Sequence, residues 1–284
     1  MASFSGWVEV RPGFTPRPRI SHVVLDFDGT LSWLRHGWPE LMCEIFEPYL
    51  PASAIEPRRE VRELLLDDIL SLNGKPSIHQ MIRCAEILRA RGGRPPAPEA
   101  LLHEYQRRLD LVIEERTAMI RSGRVPREHF VVCGARSFLE NLLERGMTLV
   151  ILSGTVEHRV KEEAALLDLK RYFGEHIYGG TADAAQSSKR AVMGRLLVGE
   201  RITGEHLLAI GDGPVEIEVA KELGGLAVAV ATDEENNGSG KADPHKYRQL
   251  VAAGADIVIP DFRDGATLLE HIMPGWQPAA GIGD

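Results

Sequence analysis

Paired cysteines are missing from this sequence. Cys43, Cys84 and Cys133 are its three cysteines, widely spaced and without a CxxC pair, which argues against a disulfide framework or a zinc site and fits a reducing compartment. Long apolar runs are missing too: stretches such as "GGLAVAVAT" fall far short of the roughly 20 residues that span a bilayer. The opening "MASFSGWVEVRPGF" has no basic start followed by an apolar core, so it does not read as a secretory signal. Positive charge is in deficit, with 33 Lys and Arg against 41 Asp and Glu and a formal net charge of −8. Nucleic acid and anionic membrane are therefore disfavoured as main partners, although a local basic pocket is not. No internal repeat or low-complexity tract interrupts the chain. These absences lead to the expectation of a soluble cytoplasmic protein. The 44% hydrophobic and 26% charged content of the 284 residues fits a packed fold of one large domain or two ordinary ones.

What the chain does have is a series of short apolar runs: "HVVLDF", "MTLVILS", "EHIYGG", "HLLAIGD", "LAVAVAT" and "ADIVIP". Most are continuous rather than alternating, as expected of a parallel sheet buried on both faces. Amphipathic helical patterns separate them, including "ARSFLENLLERG", with Gly146 as a stop, "TVEHRVKEEAALLDL" and "SSKRAVMGRLL". The alternation predicts a doubly wound, Rossmann-like α/β core. One interval is too long for it. Between Asp28 and Ser153 a βαβ unit needs only about 30 residues, yet roughly residues 33–130 intervene. They carry apolar faces at Val61, Leu64, Leu65, Ile69 and Leu72, at Ile78, Met81, Ile82, Ala85 and Leu88, and at Leu101, Leu102, Tyr105, Leu109, Val112 and Ile113, plus the short "PELMCEIFEPYL". Four such helices can bury their faces on one another. The expected organisation is an irregular arm over 1–19, a discontinuous core over 20–32 and 131–272, an inserted helical cap over 33–130 joined near 31–38 and 126–134, and a loose tail over 273–284.

Two acids end the first strand, in "VVLDFDGTLSW". Burying Asp26 and Asp28 costs several kcal/mol each unless a cation or donors compensate. Three more features follow later strands or open a helix: "SGT" (Ser153–Thr155), Lys189, and "GDGPVE" (Gly211–Glu216). Ligands of open parallel sheets bind at the carboxyl ends of strands, so all four can meet. Asp26 and Asp212 suit a hard cation such as Mg²⁺. A carboxylate can also attack phosphorus to give an aspartyl-phosphate, and phosphoryl transfer asks mainly for in-line positioning and neutralised charge. Ser153 and the Gly154 and Thr155 N–H groups are expected to open a helix, with Ser153 as its cap, and to cradle phosphate oxygens. Lys189 adds positive charge, with Arg190 a weaker rival. Gly29 and Gly213 let the backbone approach closely.

"DFDGT", "SGT", Lys189 and "GDGPVE", in that order, resemble the four motifs of the haloacid dehalogenase-like superfamily. The resemblance covers about residues 20–32 and 131–270, and the helical insert stands where relatives such as phosphoglycolate phosphatases and β-phosphoglucomutases carry a helical cap. It implies that Asp26 is the nucleophile. Asp28 would be the general acid and then the base, its backbone carbonyl also on Mg²⁺. Ser153 would hold the transferring phosphoryl group, Lys189 would pair with Asp26 and that group, and Asp212 would ligate Mg²⁺. Dehalogenase relatives lack an acid at the position of Asp28, phosphonate-cleaving relatives usually carry a small residue, and P-type pumps read "DKTGT", so Asp28 favours phosphate esters. Many relatives have Asp where this chain has Glu216, which leaves open whether Glu216 meets the metal directly or through water.

The implied activity is Mg²⁺-dependent hydrolysis of a small phosphorylated metabolite, a sugar phosphate by family analogy. A phosphomutase of the β-phosphoglucomutase type and a non-catalytic phosphometabolite-binding module are the alternatives, and the protein is expected to be a monomer or homodimer. Phosphate and substrate binding falls to Gly29, Ser153, Gly154, Thr155, Lys189, Arg35 and Lys75, and metal binding to Asp26, Asp28, Asp212 and Glu216. In the cap, "LNGKPSIHQM" reads as a turn between helices that either points Lys75, His79 or Gln80 at the site or is simply solvated. Trp33, Arg35, His36 and Trp38 are expected at the hinge and cleft mouth. The polar stretch 232–248 reads as a long loop that folds over the cleft or joins a dimer.

Overall fold

The computed structural model describes residues 7–50, 58–73, 75–181, 183 and 185–276. Its sheet contains β1 (Glu9–Val10), β2 (His22–Leu25), β3 (Thr148–Val156), β4 (Ile177–Gly180), β5 (Leu207–Gly211), β6 (Leu226–Val230) and β7 (Ile257–Ile259), in the order β1-β7-β6-β5-β2-β3-β4. All pairings are parallel except β1 with β7. The continuous apolar runs have a direct cause. Val23 and Leu25 of β2 point into one layer with Leu149, Ile151, Leu208 and Ile210, covered by α5 (Ala135–Glu144), α6 (Glu157–Leu166) and α10 (Gly265–Ile272). Val24 points into the other layer with Val150, Leu152 and Ala209, covered by α7 (Lys189–Gly199), α8 (Pro214–Glu222) and α9 (Pro244–Ala252). A strand covered on both faces has no polar side to alternate.

The order of winding reverses at β2, which lies between β3 and β5. Leu25 is level with both Ile151 and Ile210, so Asp26, Ser153 and Asp212 lie within two residues of one line. That is the switch-point crevice in which open α/β sheets bind ligands.

Between β2 and β3 lie α1 (Trp38–Phe46), α2 (Arg58–Ser71), α3 (Ile78–Ala90) and α4 (Pro98–Arg121). They bury Phe46, Val61, Leu65, Ile69, Met81 and Leu88 in a cluster separate from both sheet layers. The two connections to the core run side by side: the Trp33 N–H donates to the Phe130 carbonyl (2.8 Å) and the Val132 N–H to the Leu31 carbonyl (3.0 Å). Two expected face residues are instead exposed, Leu64 and Ile82. Each neighbours a fully buried residue, Leu65 or Met81, and a step of about 100° per residue carries it off the packed stripe. Val112 and Ile113 are only half-buried, because the 24-residue α4 outruns the cap and ends with Ile120 against the core.

The N-terminal stretch is not wholly irregular. Glu9 pairs with Val258 and Val10 with Ile257, a strand too short to show a period of two. The segment over 232–248 is not one loop either: residues 244–248 belong to α9, whose start is capped by Asp243 accepting from the His245 and Lys246 N–H groups (both 2.9 Å). The loop before it lies against the cap connections rather than over the cleft. The Asp233 backbone carbonyl accepts from Trp33 Nε1 (3.3 Å), and the Asn237 amide donates to the Val131 carbonyl (2.7 Å). Of the tail, residues 277–284 lie outside the described residues, while Trp276 packs beneath the Arg145 guanidinium, 4.5 Å from its ring. Among the described residues no helix is long and apolar enough to cross a membrane.

Candidate active site

Asp26 follows β2 immediately and its N–H still bonds the Ile210 carbonyl (2.9 Å), so the ladder itself fixes its position. Its side chain is buried. Lys189, the first residue of α7 and equally buried, brings Nζ to 2.8 Å from Asp26 Oδ1 and 2.8 Å from Glu216 Oε2. Burial works against the Lys189 ammonium, but Asp26 and Glu216 outweigh it and hold its pKa above the usual lysine range. Burial pushes the Asp26 carboxyl well up, with Lys189 opposing and Glu216 and Asp212 reinforcing. Glu216 also accepts from the Gly213 N–H (2.7 Å), so it caps α8 and faces Lys189 at once. Arg190 turns away to pair with Glu222 on the surface.

Asp28 sits two residues on, half-buried. Its Oδ2 accepts from Thr155 Oγ1 (2.8 Å) and Ser153 Oγ (3.3 Å), and its Oδ1 lies 3.2 Å from Arg35 Nε. The "SGT" segment does not open a helix. β3 runs through an irregularity to Val156 and α6 starts at Glu157 without a side-chain cap; Ser153 Oγ accepts instead from the Thr155 N–H (3.0 Å). The register shift after Leu152 keeps the chain extended across these three residues and turns both hydroxyls towards Asp28. Gly29 does not present its N–H to a ligand, since that group bonds the Ser32 carbonyl (2.9 Å). Its φ is +75°, and a Cβ there would stand 2.1 Å from Asp212 Oδ2, so the position requires glycine because a carboxylate packs on it.

Asp26, Asp212 and Glu216 each offer an oxygen within 4.8 Å of the others. Around them are residues that sequence reasoning missed. Lys246, on α9 and 1% exposed, lies with Nζ 2.9 Å from Asp212 Oδ2, donates to Thr232 Oγ1 (2.8 Å), and pairs with buried Glu234. Four carboxylates, Asp26, Asp212, Glu216 and Glu234, thus face two ammonium groups, Lys189 and Lys246. The formal excess of two negative charges is what one divalent cation would balance, and oxygen donors of this kind suit Mg²⁺. Glu163 was also missed. It accepts from Arg35 Nη2 (2.7 Å), and burial pushes its carboxyl up to about 7, opposed by Arg35 and reinforced by Asp28. A signal existed, because Glu163 falls on the same α6 face as Val160 and Leu167.

A cavity of about 650 Å³ opens between cap and core above Asp26, Asp28, Ser153, Gly154, Thr155 and Lys189. Of the cap candidates, Lys75 is exposed on its wall, while Gly74 lies outside the described residues. Gln80 also borders it, but its amide is held by the Ile69 carbonyl (2.9 Å). His79 points to solvent and is not on the wall. Asn73, from the turn between α2 and α3, reaches the acids directly: its Nδ2 stands 3.4 Å from both the Asp212 carbonyl and Oδ1. Trp38 and Arg35 line the cavity; Trp33 is buried with His36 stacked on it at 3.6 Å. Arg35 is therefore held between Asp28 and Glu163, with Nη1 buried and unpartnered.

Several solved structures share this fold. A haloacid dehalogenase-like protein of unknown function from Agrobacterium tumefaciens aligns with a TM-score of 0.60 at 16% identity, over 88% of this chain and 97% of its own. A predicted phosphoglycolate phosphatase from Haemophilus somnus aligns with 0.56 at 16% identity, over 90% and 99%. A β-phosphoglucomutase from Clostridium difficile aligns with 0.52 at 12% identity, over 86% and 92%. No protein with a curated description matches the chain. With the motif order, the switch-point site and these neighbours in agreement, the match of the family model to residues 20–224 completes the assignment: the chain belongs to the haloacid dehalogenase-like hydrolases.

Proposed function

We propose that this protein is a Mg²⁺-dependent phosphatase that hydrolyses a small phosphorylated metabolite through an aspartyl-phosphate on Asp26. The observation that carries the reading is the pair of acids on the cavity floor with unlike partners: Lys189 on Asp26, and Ser153, Thr155 and Arg35 on Asp28. A nucleophile and a separately oriented acid are what a two-step displacement needs. In the first step an Asp26 oxygen bonds to phosphorus while the ester P–O bond breaks, and Asp28 delivers its proton to the departing oxygen. In the second, Asp28 takes a proton from water as that water attacks phosphorus, which releases Asp26 and inorganic phosphate. Lys189 neutralises charge on Asp26 and on the phosphoryl group, and Ser153 fixes a phosphoryl oxygen. Asp26, Asp212 and the Asp28 carbonyl would hold Mg²⁺, with Glu216 beside it; when bound, the ion offsets the charge of the transferring group. The cap would exclude bulk water over the cavity, with Arg35 and Lys75 offering donors to an anionic leaving group.

The test is release of phosphate from p-nitrophenyl phosphate in Mg²⁺. Wild-type protein should turn over and Asp26→Asn should not, with an unchanged far-UV circular dichroism spectrum. Substantial activity in Asp26→Asn refutes the nucleophile, and an inert wild type favours a non-catalytic binding role. A phosphoenzyme that survives water but discharges onto a sugar phosphate moves the reading to phosphomutase.

A further inference from the structure

We propose that Lys246 restricts Asp212 to a single metal-facing oxygen and so biases the site towards Mg²⁺ and against Ca²⁺. The inference rests on the divalent site proposed above. Lys246 Nζ lies 2.9 Å from Asp212 Oδ2, and its other partners, Thr232 Oγ1 at 2.8 Å and Glu234, are themselves held. Thr232 donates to the Gly29 carbonyl (2.8 Å), and Glu234 Oε2 accepts from the Gly37 N–H (2.9 Å). The ammonium donates to Thr232 and stands in ion-pair contact with Asp212 Oδ2 and Glu234, and the side chain is closed off from solvent, so it cannot swing aside without leaving buried charge uncompensated. The Gly29 backbone walls the same side, since any Cβ there would fall 2.1 Å from Oδ2. The other oxygen, Oδ1, faces the Asn73 amide at 3.4 Å.

The other two acids are engaged in the same manner. Lys189 occupies Asp26 Oδ1 and Glu216 Oε2, and the Gly213 N–H occupies Glu216 Oε1. Each carboxylate therefore has at least one oxygen facing a protein cation or N–H, and on Glu216 both do, which suits it to act on the ion through water. Mg²⁺ accepts an octahedron of few carboxylate oxygens plus water, whereas Ca²⁺ takes six to eight oxygens and gains from carboxylates that bind through both. Lys246 is off the cavity wall and meets the proposed metal ligands at Asp212, so it acts by holding that carboxylate: it is a positioning residue.

The test is isothermal titration calorimetry of the metal-free, full-length protein with MgCl₂ and with CaCl₂, for wild type, Lys246→Met, and the charge-neutral double variant Lys246→Gln with Glu234→Gln. Freeing Asp212 Oδ2 should tighten Ca²⁺ relative to Mg²⁺ by about tenfold, the low end of what partners of metal ligands are worth. Circular dichroism checks the fold; if Lys246→Met fails to fold because Asp212 and Glu234 are left unpaired, the double variant carries the measurement. A merely structural lysine would weaken both metals alike, so an unchanged ratio of the two affinities overturns the inference. A wild type that binds neither ion overturns the divalent site itself and the proposed function with it, an outcome distinct from wild-type binding with an unchanged ratio in the variants.

Discussion

Replacing Lys189 by Met tests the electrostatics of the site most directly. The side chains are close in length, so the change removes an ammonium without opening a large void. In wild type that ammonium lies 2.8 Å from two buried carboxylates, Asp26 and Glu216. Removing one partner of a buried ion pair costs about 3–5 kcal/mol because the other charge is stranded. Here two are stranded, which places the expected loss at the upper end when both are ionised. Asp26 has a way out. Burial, Glu216 and Asp212 already push its carboxyl well up against the pull of Lys189, and without Lys189 it rises further. A carboxyl raised in the folded state contributes stability that is present below its unfolded pKa and lost as pH rises through its folded one. The deficit of Lys189→Met should therefore be small near pH 5 and grow towards pH 8, in chelator, as read by urea unfolding. Activity should fall by about 10²–10³, the usual loss when one preorganised group facing the developing charge is removed. A deficit equal at both pH values, or near wild-type turnover, refutes the coupling of Lys189 to Asp26.

Gly29→Ala should cut kcat/KM about 100-fold or more, because the new methyl collides with Asp212 in a site where small displacements are costly, while unfolding in urea shows a much smaller relative change; wild-type kinetics would mean that Asp212 moves freely. Glu163→Gln should flatten the stability profile between pH 5 and 8. With its carboxyl pushed up to about 7 by burial, wild-type Glu163 contributes stability that disappears as pH rises through that value, at most about 3 kcal/mol by linkage; parallel profiles for the two proteins would dismiss the shift. Chelation by EDTA should stop turnover and Mg²⁺ restore it. Saturating Mg²⁺ should also raise the unfolding midpoint, by about 2.7 kcal/mol of stability at a hundred times Kd, and full activity in chelator would remove the metal role.

The sequence by itself determined the α/β alternation, the helical insertion, and the positions of Asp26, Asp28, Lys189, Asp212 and Glu216 just past strand ends or at helix starts. Those features are local. A run buried on both faces reads as continuous apolar residues, a helix reads by its period, and a motif residue keeps its place relative to the strand that carries it. Only the tertiary structure decided that β3 stays extended through Val156, that Gly29 is needed by a carboxylate 183 positions later rather than by a ligand, and that Lys246 and Glu234 bear on the acids. In "DPHKYR" Lys246 looks like any solvated helix lysine, and no pattern of neighbours within a few residues distinguishes it. Its burial depends on the crossover from β6 to α9 closing against Asp212 and the cap connections, and long-range contacts of that kind leave no periodic mark on the chain.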